Sequence, residues 1–249
     1  MKWLELKVRN RCSLVITAVA LIACAALTCA QSAVPPAALT QKQIVERIEQ
    51  HDRTQMVALQ HYQAVRHYAI EYHGFMKTIT AKMDVAVTYD AASGKNFQII
   101  SQSGSKGLCQ GVLKKAVDSE KEASLNRGET ALTDANYKFH LVGSESLNGR
   151  PAYVLEVEPI KPSKFLYRGR IWVDAVDFAV AKMEVQPGKN PSFWISKTTI
   201  HHTNEETGGF WLPQKNQSET KVRIGGTAVM TIEYGPYEIG ARPTVSELR

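Results

Sequence analysis

Five carboxylates crowd the middle of this 249-residue chain: Glu156, Glu158, Asp174, Asp177 and Glu184. Two of them facing each other ~5–9 Å apart across a cleft would form the acid/base or acid/nucleophile pair of glycoside cleavage. Their local settings argue against that chemistry. Glu156 and Glu158 fall on the polar face of an alternating strand, and Asp174 and Asp177 bracket a turn in which aspartate serves Asx hydrogen bonding. The seven histidines raise a metal hypothesis. His67 and His73 share a strand face, with His61 nearby, but no carboxylate stands at tight ligand spacing. The adjacent His201 and His202 point to opposite faces of one strand, so that strand cannot clamp an ion with both. Cys109 lies beside the apolar stripe of Leu108, Val112, Leu113 and Ala116. That is the setting of a small buried hydrophobe, not of an activated thiol. The sequence holds no Gly-x-Ser-x-Gly elbow, His-Glu-x-x-His helix, phosphate loop or Cys-x-x-Cys pair. A non-catalytic protein with no cofactor and no metal is expected.

Strands dominate the elements that position these residues. Thr40 and Gln43 form a capping box before an amphipathic helix over about 41–59, with Ile44, Val45 and Ile48 on its apolar face. From Tyr62 the hydrophobic period changes to two. Ala64, Arg66, Tyr68 and Ile70 alternate with Val65, His67 and Ala69, and Met83, Val85 and Val87 with Asp84, Ala86 and Thr88. A turn over 90–94 leads to a returning strand at 97–100, and residues 101–106 break the meander. A second helix carries Leu108, Leu113 and Val117 and ends near Asn126, where Gly128 suits the position after a helix end.

The second half reads as strand throughout. Asn148-Gly149 is a strong hairpin signal because both turn positions accept positive φ. Further strands are expected near 166–173, 178–185, 193–202, 210–223 and 227–235, separated by turns. About ten strands and two helices suit a mainly β (α+β) domain, an open antiparallel barrel with helices against one mouth or face.

The amino terminus speaks to location. Lys2, Lys7, Arg9 and Arg11 precede an apolar run from Leu14 to Ala23, and Thr28-Cys29-Ala30 before Gln31 fits signal-peptidase cleavage. Residues 1–30 are therefore expected to be a signal peptide, 31–39 a tether, 40–240 one domain and 241–249 a tail. The exported protein would work in the periplasm. Leu21-Ile22-Ala23-Cys24 also has the form of a lipobox, which would anchor the chain through Cys24 instead. Cleavage after Ala30 removes four basic residues and one acid, lowering the formal charge from +6 to +3. That charge is too small and too evenly spread to argue for nucleic acid. Of the four cysteines only Cys109 would remain, so a hydrophobic core and not a disulfide must hold the fold.

Aromatic residues gather in the sheet-rich half: Tyr153, Trp172, Phe178, Phe193, Trp194, Phe210 and Trp211. They fit either an ordinary core or the lining of an incompletely filled barrel. Tyr153, Leu155 and Val157 share one face of their strand. Ile171 and Val173, Met183 and Val185, and Met230 and Ile232 continue that apolar face on later strands. These nine residues are the candidate lining of an apolar cavity.

The runs 148–155, Gly169-Arg-Ile-Trp-Val-Asp174, 190–194, Phe210-Trp-Leu-Pro213 and Ile232-Glu-Tyr234 resemble the LolA-like superfamily. Within it, the chain looks like the bacterial outer membrane lipoprotein-sorting proteins. The resemblance covers about residues 40–238 and is firmest over 137–235. It implies an unclosed antiparallel β-barrel of about ten or eleven strands, with helices as lid or plug, holding lipid or lipoprotein acyl chains. A monomer with no nucleic-acid partner is expected. The alternative the resemblance carries is an envelope stress sensor or assembly factor that binds an envelope or outer-membrane protein. Carriers of this family hold the lid closed with an arginine near the barrel rim. Arg66 and Arg168 stand at comparable strand positions, and no motif assigns the role to either.

Overall fold

Helix α1 (Gln41–Ala58) opens the fold in the computed structural model, which describes residues 39–190, 192–193, 195–223 and 225–240. The expected signal peptide and Cys24, residues 31–38 of the tether, Trp194 and the tail lie outside the described residues. The capping box forms as expected. Gln43 N donates to Thr40 Oγ1 at 3.3 Å, and Thr40 N donates to Gln43 Oε1 at 2.9 Å.

Three antiparallel strands follow: β1 (His61–His73), β2 (Thr78–Asp90) and β3 (Gly94–Gly104). A helical connection comes next. It comprises α2 (Lys106–Leu108), a π turn over Cys109–Leu113, α3 (Lys114–Leu125) and the single turn α4 (Arg127–Thr130). The remainder is an antiparallel meander of β4 (Tyr137–Leu147), β5 (Arg150–Pro159), β6 (Tyr167–Asp174), β7 (Val180–Pro187), β8 (Ile195–Thr207), β9 (Phe210–Val222) and β10 (Thr227–Tyr234). The short β11 (Glu238–Gly240) ends it.

All eleven strands form one sheet in the order β3-β2-β1-β10-β9-β8-β7-β6-β5-β4, with β11 beside β1. Strand β3 ends the order on one side and β4 on the other, so the barrel is unclosed. The connection from β3 to β4 is the helical one, and it therefore joins the two edges of the opening. Gly169 in β6, at φ 139°, sits where a Cβ would collide with the Glu184 carbonyl oxygen on β7, so the strands approach closely only because it is glycine.

The two faces of the sheet differ sharply. The inner face is largely apolar, and helices cover its two apolar clusters. Ile44, Val45 and Ile48 of α1 pack on Leu155, Val157, Ile171, Val173 and Val185. Cys109, Leu113 and Val117 pack on Tyr68, Ile70, Met83, Val85, Val87 and Ile232. The outer face carries charge in register: His140, Glu156, Arg170, Glu184 and His201 lie side by side across five strands. Opposite charges in such rows support the pairing modestly, as between Arg170 Nε and Glu156 Oε1 at 3.2 Å.

Two local expectations change, and one open alternative is decided. Strand β3 continues through 101–104, because pairing with β2 and the Ser101 Oγ donation to Asp84 Oδ2 at 2.7 Å hold a polar edge segment extended. Asn126, and not Gly128, ends α3, and Gly128 lies inside the turn α4. Trp172 belongs to the outer face, in a small cluster with Ala152 and Val154, and so does not line the interior.

Candidate functional site

The alternation of β1 puts Ala64, Arg66, Tyr68 and Ile70 on the inner face, and Arg66 is 0% exposed there. A charge in that position demands a counter-charge. Helix α3 supplies it. Arg66 Nη1 donates to Glu120 Oε2, and Lys95 Nζ on β3 approaches Glu120 Oε1 at 3.2 Å. The guanidinium also stands 4.7 Å from the ring centroid of Tyr234 and 5.6 Å from that of Phe97.

The network is electrostatically tight yet incompletely bonded. Burial favours the neutral form of Glu120, but the Arg66 and Lys95 cations outweigh it and hold its carboxyl below the usual range. Arg66 is likewise held above its ordinary value, burial being outweighed by the Glu120 carboxylate. Burial, followed by Glu120, pushes the Tyr68 hydroxyl up to about 12. Arg66 Nε, Arg66 Nη2 and the Tyr68 hydroxyl are buried without a hydrogen-bond partner among the described residues. A buried ion pair of this kind does little for net stability, and breaking it exposes a large penalty. It does tie α3 to β1 and β3.

Helix α3 is fixed on its other side as well. Lys164, in the β5–β6 loop, donates to Glu122 Oε2 at 2.8 Å. One helix thus ties β1 and β3 to the opposite half of the sheet. Beneath the junction of the two halves runs a polar seam on β8 and β9. Thr198 and Thr220 hydroxyls lie 3.1 Å apart, and His202 stands 3.0 Å from Asn204 Oδ1 and 3.2 Å from Asn216 Nδ2. The His202 ring meets Tyr234 edge-on at 6.3 Å, and burial lowers its pKa.

The nine candidate lining residues all lie on the inner face, but in two groups. Leu155, Val157, Ile171, Val173 and Val185 are buried under α1, with Tyr153 and Met183 half-buried beside them. Ile232 is buried and Met230 half-buried in the cluster under the π turn and α3. The polar seam separates the groups. Of the two arginines, Arg66 is interior. Arg168 is exposed on the outer face, donates to the Gly188 carbonyl at 2.9 Å, and borders a hollow with Lys138, His140, Glu156 and Glu158.

Four of the five carboxylates singled out in the sequence make structural contacts. Asp174 Oδ1 accepts from the backbone of Val176 and Asp177, the expected Asx turn, while Arg150 Nη2 donates to Asp174 at 2.9 Å and Asp177 at 2.7 Å. Glu156 pairs with Arg170 and Glu184 with Lys182. Among the described residues no group of three or more His, Cys, Asp or Glu is arranged to hold a metal ion. Sequence reading missed Glu120, Lys95 and the seam. The one available signal was Arg66, a cation in an apolar alternation.

No family model matches this chain, and no curated protein matches it. Solved structures do. One is a DUF1329 family protein from Desulfovibrio piger, 13% identical, covering 84% of this chain and 96% of that one with a TM-score of 0.42. Another is a putative outer membrane lipoprotein-sorting protein domain from Vibrio parahaemolyticus, at 10% identity, coverages of 81% and 94%, and a TM-score of 0.41. A LolA superfamily protein from Nitrosomonas europaea is 14% identical, with coverages of 83% and 96% and a TM-score of 0.37. At these values the likeness carries no argument about client or mechanism. The family resembled by residues 137–235 is among those whose solved structures this chain is similar to.

Proposed function

We propose that this chain is a non-catalytic periplasmic protein that binds or carries the acyl chains of a lipid or lipoprotein. The carrying observation is the latch: an unclosed sheet whose apolar inner face is covered by helices, one of them held over the opening by Arg66 and Glu120. Helix on an apolar face can be exchanged for acyl chain, because each CH₂ taken from water contributes ~0.8 kcal/mol whichever apolar surface receives it. Opening would lift α3 from the β1–β3 half and let a chain lie along Tyr68, Ile70, Met83, Met230 and Ile232. It could extend under α1 towards Leu155 and Ile171. The basic and apolar pattern of residues 1–30, which reads as an export signal, supports the compartment.

Native mass spectrometry of protein purified from the envelope tests this reading. Co-purifying lipid, or micromolar binding of a fluorescent fatty acid by the delipidated protein, is the expected result. A stoichiometric protein partner without lipid would replace the carrier role by that of a sensor or assembly factor.

A further inference from the structure

Arg66 poses a problem that acyl binding alone leaves unsolved. When α3 lifts, Glu120 leaves with it, and a guanidinium that is 0% exposed loses its counter-ion. Lys95, 3.2 Å from the same carboxylate, loses its partner too. An alkyl chain entering this space offers no acceptor. The penalty for an unpaired buried cation would then oppose every binding event. The site is also under-bonded before opening, since Arg66 Nε and Nη2 and the Tyr68 hydroxyl have no partner among the described residues. The guanidinium that gives Nη1 to Glu120 lies next to the faces of Tyr234 and Phe97, and the Tyr68 hydroxyl interacts with the same Glu120 and Arg66 charges. An anion seated squarely on the guanidinium, as Glu120 is not, could use the unpartnered donors.

We infer that Arg66, Tyr68 and Lys95 form a binding site for the anionic head of the client, a carboxylate or a phosphate on a long alkyl chain, and that Glu120 occupies this site as an internal surrogate when the lid is closed. This inference rests on the acyl-chain reading and adds a charge requirement to it. Exchange of Glu120 for the client's anion keeps the guanidinium paired at each stage. A tetrahedral phosphate or a carboxylate can meet an arginine through two nitrogens at once, which Glu120 does not do here. Lid opening is thereby coupled to the head group, and chain burial supplies the affinity. Neutral lipids lack the means to displace Glu120.

Delipidated full-length mature protein, titrated with palmitate, hexadecyl phosphate, hexadecanol and methyl palmitate in displacement of a fluorescent acyl probe, tests the inference. The anionic compounds should bind about 10- to 100-fold more tightly than the two neutral ones, the range expected for hydrogen bonds to a charged group. The tighter of palmitate and hexadecyl phosphate identifies the head. Glu120→Gln should strengthen binding of the anions more than of hexadecanol, because the internal competitor has lost its charge. Arg66→Met should abolish the preference while hexadecanol still binds. If Arg66→Met does not fold, Lys95→Met, at a partly exposed position, should reduce the preference in the same direction. Equal binding of all four compounds by the wild type overturns the head-group site and leaves the acyl reading standing. A preference unchanged by Glu120→Gln overturns the exchange. Failure of every compound to bind defeats the acyl reading itself.

Discussion

Ile171 and Trp172 are neighbours in β6 whose side chains leave the sheet in opposite directions. Ile171 is enclosed beneath α1 with Leu155 and Val173. Trp172 lies on the outer face, where Nε1 donates to Glu145 Oε2 at 2.9 Å and Lys182 Nζ stands 4.4 Å from the ring centroid. The two positions separate what the interior does from what the exterior does. Ile171→Ala should cost about 2–5 kcal/mol in urea denaturation and weaken the acyl probe, since it opens a cavity on the lining. Trp172→Phe should cost about 1–3 kcal/mol, from the lost hydrogen bond and the smaller buried ring, and leave probe affinity unchanged. Loss of binding in Trp172→Phe would mean that the outer face is the ligand face.

Leu155 and Met183 differ in the same revealing way. Leu155 is 0% exposed and packed by α1, whereas Met183 is half-buried and pairs across the sheet with His202 on the polar seam. A charge at Leu155 has no polar neighbour to receive it. Leu155→Asp should therefore unfold the α1 half at a cost of several kcal/mol, seen as a lost cooperative transition. Met183→Asp should fold, because the seam is within reach, and should lose the acyl probe. If both variants fold and bind, the inner face is not the ligand site.

Cys109 reports on the lid without perturbing it. It is 3% exposed at the start of the π turn, with Sγ 3.5 Å from the Ser103 carbonyl. Cys109→Ala should cost about 1 kcal/mol and spare ligand binding. In the wild type, thiol labelling mapped to Cys109 should be slow and should accelerate when an acyl ligand lifts α3. Labelling that stays slow at saturating ligand would place the opening motion in α1 instead.

Local rules were legible in the sequence, and long-range pairing was not. Thr40 and Gln43, Asn148-Gly149 and Asp174 each carry their structure within four residues. The capping box, the turn with φ of 52° and 82° and the Asx turn all appear where expected. Gly128 failed because a glycine after a helix is one of several ways to end it, and Asn126 ended it first. Trp172, left open between core and lining, lies on the face opposite Ile171 and Val173, as strand alternation requires.

The latch needed tertiary information from both ends. Arg66 stands out in an apolar strand, but Glu120 sits in a helix rich in solvated charge, 54 residues on. Nothing local distinguishes it from Glu122, which pairs with an exposed lysine. The seam escaped for a similar reason. His202, Asn216 and Ser218 carry no local mark of burial, and only the register of β7, β8 and β9 aligns them with Met183 and Ile200 on the inner face.

Asp174 offers a test of how much charge the far end of the barrel requires. It is 2% exposed, accepts from two backbone amides, and receives Arg150. Burial alone would raise its pKa, but the Arg150 and backbone hydrogen bonds prevail and hold it below the usual carboxylate value. A carboxylate depressed on folding stabilises the protein above its unfolded pKa, and that contribution is lost as pH falls through the folded pKa. Asp174→Asn keeps Oδ1 for the Asx turn, and removes both the charge and the Oδ2 acceptor of Arg150 Nε. At pH 7 it should be less stable than wild type by about 1.5–3 kcal/mol, the worth of hydrogen bonds to an ionised group. The difference should shrink below about pH 4, where the unfolded carboxyl begins to protonate. It should vanish once the folded Asp174 is itself protonated. Glu120, Asp84 and Glu184 are depressed as well, so both proteins will weaken in acid, and only the gap between their urea midpoints isolates Asp174. A gap independent of pH would show that Asp174 acts through the shape of its turn and not through its charge.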